Sequence, residues 1–375
     1  MKCWRDLPDF APDNAPGVRD SEAITDLRAW CIREPNSKRQ YTVVRLTAGN
    51  GIVGFGEGST STRSEIADAK SIVLGRSPFE SEFIRHSLAS LPAMEAAVSN
   101  AMLDLTARAA GVPVYQYLGG PTRYKARVLA HLEGDSEDAL DNALGRAKQS
   151  GARAFTFPLP QRDSMTRIQE YIDVIRKRVQ RLRSQAGADT DFVLDGRAAL
   201  NPGDASAIAT ALEKLHLLWF DEPTAVLTND QLEKITDESV MPVGLGRNIH
   251  DIAAFQNLLR WGCIDVLRPS VGLNSARKIR RMAAIAETHY VAIAPYHNGG
   301  PIGTIAAIHL AASLPNFFIQ QVPQPASDRD RQMRAAITSG DHELAQDGFA
   351  ALINAPGLGI QVNESALGQY SEETI

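Results

Sequence analysis

Cysteine is scarce in this chain. Three thiols, Cys3, Cys31 and Cys263, stand far apart among 375 residues, with none of the close spacings that bind zinc or run thiol–disulfide exchange. A disulfide framework is therefore not expected, and the thiols read as the reduced ones of a cytoplasmic protein. Long apolar runs are missing too, and nothing approaches the roughly 20 residues that a membrane-spanning helix needs. No sign of charge dominates: 39 Lys and Arg stand against 44 Asp and Glu, a net −5. That balance speaks against a nucleic-acid surface. Short basic clusters such as Arg176-Lys177-Arg178 read as solvated helix faces. The opening MKCWRDLPDFAPDNAPGVRDSEA lacks the apolar stretch of a signal peptide. Its proline and aspartate content reads as a loosely ordered arm over 1–23.

What is present is material for a large core. The chain is 44% hydrophobic and 22% charged, which suits a globular protein of one large and one smaller domain. Residues 24–33 and 41–47 read as strands, and Asn50-Gly51 as a hairpin turn into a third. Helical patterns follow over 63–74 and 80–90, and a longer one, MEAAVSNAMLDLTARAAG, stops at glycine. An α+β domain over 24–122 is the expectation.

Beyond it the pattern changes. Eight apolar runs (RVLAHLE, ARAFTF, DFVLD, LLWFDEP, MPVGLG, CIDVLRP, YVAIAPY and FFIQQ) alternate with helical patterns at 136–150, 163–185, 203–215, 229–237, 250–260, 274–288 and 301–313. Continuous apolar runs mark parallel strands buried on both faces. Their alternation with helices predicts a (β/α) barrel of modified TIM type over 123–321, capped by the α+β domain. Residues 322–375 are too few for a further domain and are expected to pack back on the cap. Polar residues stand at the strand ends: Asp195, Glu222, Arg247, Ser270, Tyr296, His297 and Gln321. In such barrels the C-terminal strand ends form the active-site face. His131 ends the first strand and is a further candidate for that face. His250 and His289, in or beside helices, read as ordinary surface or packing residues.

Several stretches carry a resemblance: GNGIVGFGEG, AMLDLTARAAGVPVYQYLGG, WFDEP, APYHNGGPIGTIAAIHLAASLPNFFIQQ and PGLGI, which together span residues 24 to about 366. They resemble the enolase superfamily in its mandelate racemase and muconate lactonizing branch, nearest to sugar-acid dehydratases of the galactonate and mannonate type. The resemblance implies a magnesium ion held by three carboxylates at strands three to five, a Lys or His base, and an acid that expels the β-hydroxyl. It also implies a small carboxylate substrate and a homo-oligomer. By the same resemblance Asp195 in VLDGR and Glu222 in FDEP match two metal ligands.

The remaining positions depart from the pattern. The third ligand falls on Arg247 in GLGR. A guanidinium stays protonated, has no lone pair to offer, and repels a divalent cation. Strand two offers Thr156-Phe157-Pro158 in place of a lysine pair, and Arg197 stands where the dehydratases often carry histidine. Ser270 replaces an aspartate and Gln321 a glutamate. On strand seven a gapless match puts Tyr296 at the catalytic histidine position, whereas a one-residue bulge restores His297. Three readings stay open. In the first, an enzyme works without metal, with Arg247, aided by Arg197 or Arg268, gripping a substrate carboxylate and Asp195 or Glu222 acting as base. The second is a binding or regulatory protein that has lost catalysis. The third is a magnesium dehydratase that completes its metal shell with Asn248 or water.

Overall fold

The computed structural model describes residues 22–225 and 228–375. Most of the arm expected over 1–23 lies outside the described residues.

The cap is built from β1 (Ile24–Arg33), β2 (Gln40–Ala48), β3 (Val53–Gly58), α1 (Arg63–Val73), α2 (Ser81–Ser87), α3 (Pro92–Ala109) and the short α4 (Val114–Tyr117). The three strands form an antiparallel sheet, and α3 lies across it. Strand residues two apart share a face, so Gly54, Gly56 and Gly58 all face α3. Helix residues four apart share a face too, and α3 answers with Ala93, Ala97 and Ala101. The approach is so close that a Cβ at Gly56 would stand 2.1 Å from the Ala97 carbonyl oxygen and 2.4 Å from the Ala101 nitrogen. The last three glycines of GNGIVGFGEG are thus the contact surface between sheet and helix.

The barrel follows as β4 (Lys125–His131), α5 (Glu137–Gln149), β5 (Ala154–Pro158), α6 (Ile168–Ala186), β6 (Asp191–Asp195), α7 (Pro202–Leu212), β7 (Phe220–Asp221) and α8 (Asn229–Thr236). It continues through β8 (Val243–Leu245), α9 (Ile252–Trp261), β9 (Val266–Leu267), α10 (Ala276–Glu287), β10 (Ala292–Ile293), α11 (Pro301–Ala311) and β11 (Gln320–Val322). All eight expected strands are present, and neighbours from β4 to β10 pair in parallel, as do β11 and β4. The ring closes where the Ile293 amide donates to the Asn316 carbonyl and the Phe318 amide to Ile293, at 2.9 and 2.8 Å. One helix starts later than its pattern suggests. Residues 163–167 stay out of α6 because the Asp163 carboxylate accepts the Met165 amide (2.9 Å) and Arg162 donates to the Thr166 carbonyl.

The tail reaches both domains. α12 (Asp328–Ile337) joins Glu34 of the cap through Arg334. β12 (Phe349–Ala351) pairs with β4, and after α13 (Glu364–Tyr370), β13 (Ser371–Thr374) adds an edge to β1. Among the described residues no helix is long and apolar enough to cross a membrane.

The barrel interior is layered. Leu129, Ala154, Val193, Trp219, Val266, Ala294 and Ile319 form one buried cluster inside the ring. β8 contributes Gly244 to this layer, where a Cβ would strike the Trp219 indole at 2.5 Å. Two residues further along each strand comes the next inward layer: His131, Thr156, Asp195, Asp221, Arg268, Tyr296 and Gln321. That layer is polar, and it floors the mouth of the barrel.

Candidate active site

Arg247 sits at the centre of the mouth. It follows Gly246, whose φ of +123° lies where only glycine is at ease, so the chain end of β8 turns the arginine inward. Its Nη1 donates to Asp195 Oδ2 at 2.9 Å, and its Nη2 pairs with Asp221. Arg268, fully buried just past the end of β9, reaches Asp221 from the other side at 3.0 Å and also bonds Gln321 and the Ala294 carbonyl. The Trp219 indole donates to Asp221 at 2.9 Å. The result is an alternating chain of two carboxylates and two guanidiniums whose charges cancel.

Protonation follows from this. Burial opposes the Arg247 charge, but Asp221 and Asp195 outweigh it and raise its pKa. Burial would raise Asp221, yet Arg247, Arg268 and the indole hold it below the usual range. For Arg268 burial wins and the pKa falls, although Asp221 resists. Burial raises Tyr296, whose ring lies 4.7 Å from the Arg247 guanidinium carbon and 5.9 Å from that of Arg268. Burial lowers His131, with Asp195 pulling the other way, which keeps its ring neutral.

Three residues lie elsewhere than expected. Glu222 does not reach the centre. Its φ is +43°, a strained value for a non-glycine residue, and its Oε1 accepts the amides of Gly246 and Arg247 at 2.7 and 2.8 Å. It therefore braces the backbone that carries Arg247. Burial, then the Asp221 charge, raises its pKa. The inward acid of FDEP is Asp221, which sequence reasoning passed over. The signal was available, because Trp219 packs inside the ring and the period of two sends Asp221 inward as well. Arg197 points away from the mouth. At φ +53° its amide donates to Asp195 Oδ1 (2.9 Å), while its half-exposed side chain pairs with Asp135. It lines a separate cavity of about 530 Å³ with Tyr171, Asn201 and Asp204. His297 turns from the barrel toward the cap. Its Nε2 lies 2.9 Å from the Gly300 carbonyl and 3.8 Å from Glu57, and burial lowers its pKa to about 4. Ser270 lies beside Tyr296 at the lip. Both line a cleft of about 50 Å³ with Glu57, Ser59 and His297.

Residues 138–366 match the enolase C-terminal domain-like family, and 33–119 match the mandelate racemase / muconate lactonizing enzyme N-terminal domain. The chain belongs to the mandelate racemase and muconate lactonizing branch of the enolase superfamily. Relatives within that branch include sugar-acid dehydratases. A D-galactonate dehydratase of Verminephrobacter eiseniae is 24% identical over 354 residues, 89% of this chain and 92% of that protein. A D-xylonate dehydratase of Haloferax volcanii is 24% identical over 385 residues, 95% and 90% of the two chains. An enolase from Agrobacterium radiobacter, solved with sodium and L-malate, superposes with a TM-score of 0.84 at 22% identity, covering 93% of this chain and 95% of that one.

The branch implies a divalent cation at strands three to five, and the residues present do not fit one. The Arg247 guanidinium stands between Asp195 and Asp221 and uses the lone pairs a metal would need. Glu222 Oε1 is taken by backbone amides. Among the described residues no group of three or more His, Cys, Asp and Glu is placed to hold a metal.

Proposed function

We propose that the barrel mouth binds a small hydroxy-carboxylic acid of the acid-sugar class and removes water from it without a divalent cation. One observation carries this reading. Four polar atoms of the mouth, His131 Nδ1, Thr156 Oγ1, Arg247 Nε and Gln321 Nε2, are buried with no hydrogen-bond partner among the described residues. Each such orphan costs about 1–3 kcal/mol, and a ligand dense in oxygen atoms satisfies all four. Arg247 Nε and Gln321 donate to the ligand carboxylate and hydroxyls. Thr156 gives or takes as the ligand demands, and His131 accepts or donates with its tautomer. Asp195 is the carboxylate offered to the α-proton. Tyr296, which burial keeps protonated, supplies a proton to the departing β-hydroxyl, so that water leaves and a double bond forms between the α and β carbons. The guanidiniums of Arg247 and Arg268 offset the charge of the intermediate, more weakly than a metal would.

A second reading, binding without turnover, draws on the same network. Both guanidiniums are already bonded to Asp195, Asp221 and Gln321, which leaves little positive charge for an enediolate. Incubation with aldonates and aldarates, with and without chelator, separates the two. Chelator-insensitive formation of a 2-keto-3-deoxy acid supports dehydration. Thermal stabilisation by an acid sugar that is not consumed supports binding alone. Turnover that requires magnesium sinks both.

A further inference from the structure

A further cavity, of about 470 Å³, lies away from the barrel mouth, where α2 and α4 of the cap meet α10 and the turn at Leu314-Pro315. Its walls carry Arg277, Arg280 and Arg281 from α10. These positions are three and four apart, hence on one helix face, where like charges repel. Among the described residues only one of the three pairs with a carboxylate: Arg281 Nη1 lies 2.8 Å from Glu82, which Arg85 shares at 2.9 Å. Arg277 and Arg280 have no carboxylate partner among the described residues. Arg277 Nη1 is buried and, among the described residues, bonded to nothing, and its guanidinium carbon lies 5.8 Å from the Tyr117 ring. A buried cationic nitrogen without a partner is costly. The rest of the wall is mostly apolar, made by Leu118, Ala283, Ala284, Leu314 and Pro315, with one further acid, Glu287, which pairs with neither Arg277 nor Arg280.

We infer that this cavity is a binding site for a small oxyanion, with a phosphate monoester as the ligand class, its phosphate on Arg277 and Arg280 and its organic part against Leu118 and Leu314. Guanidinium forks match phosphate oxygens in geometry and charge, and the Tyr117 hydroxyl, hydrogen-bonded to Arg277, lines the same cavity. The site is independent of the dehydratase reading, because it shares no residue with the barrel mouth.

The test is calorimetry on the whole protein, with inorganic phosphate and with phenyl phosphate as probes, at constant ionic strength set by chloride. Saturable binding is expected, tighter for the ester than for the inorganic ion. Arg277→Gln should weaken it by roughly tenfold or more, the loss of one charge-assisted hydrogen bond. Ala284→Trp fills the cavity from an exposed helix position, keeps every arginine, and should abolish binding. Arg247→Met at the barrel mouth should leave it unchanged. No saturable heat, or binding that survives both Arg277→Gln and Ala284→Trp, overturns the inference. Arginines neutralised by a carboxylate of a second copy also overturn it, and would appear as a dimer that Arg277→Gln dissociates in sedimentation.

Discussion

Replacing Arg247 by methionine keeps most of the side-chain volume and removes the charge between Asp195 and Asp221. Asp221 still has Arg268 at 3.0 Å and the Trp219 indole at 2.9 Å. Asp195 does not fare as well: with 3% of its side chain exposed, it retains the Arg197 amide and no cation. Stranding one partner of a buried ion pair costs roughly 3–5 kcal/mol, and Asp195 is the stranded group. Urea unfolding at neutral pH should show a loss of that size. The pH dependence has a sign. In the wild type Asp221 is held below the usual carboxylate range, so its stabilisation is present above the ordinary aspartate pKa and fades as pH falls through its lower folded value. In the variant Asp221 loses one of the two guanidiniums that hold it down, so the gap to wild type should narrow as pH drops below the ordinary aspartate value of about 4. Adding Asp195→Asn to Arg247→Met should recover part of the loss, because the uncompensated charge is gone. A single variant within about 1 kcal/mol of wild type at neutral pH would refute the reasoning.

Three further outcomes are expected. Gly56→Ala drives a Cβ to 2.1 Å from the Ala97 carbonyl oxygen. It should destabilise the cap by about 1–3 kcal/mol or more, read as an earlier unfolding transition. Burial raises Glu57 to about 7, against the pull of the Gly303 and Gly300 amides. A raised acid favours folding while protonated, so stability should fall by about 3 kcal/mol as pH climbs from the ordinary glutamate value to neutrality. Glu57→Gln should flatten that slope in urea midpoints measured across the range. If an acid sugar is turned over, Tyr296→Phe should cut kcat by roughly 100-fold or more, the usual scale of a lost proton donor, with thermal stability near that of wild type. Full retention of kcat would remove Tyr296 from the chemistry.

The barrel was legible because its physics is periodic. Apolar runs such as DFVLD and CIDVLRP announce strands buried on both faces, and the helices between them announce the connection. The polar layer at the mouth was legible only in part. Counting polar residues at strand ends picked out Glu222 and passed over Asp221, since a strand end is a position along the chain and not a direction in space. The inner packing of Trp219 is what points Asp221 inward. Arg247 breaks the alternation because Gly246 adopts a positive φ, and a single sequence does not print backbone angles. The turn of His297 toward the cap depends on Glu57, some 240 residues earlier. A contact that distant leaves no local trace.

We propose that Arg247 occupies the place of a metal ion, its guanidinium bonded to Asp195 and Asp221. A calorimetric titration of metal-stripped wild-type protein with magnesium tests it most directly. No saturable heat is expected into the millimolar range. Binding at micromolar to low-millimolar magnesium would contradict it and return the ordinary magnesium chemistry of the family to this barrel.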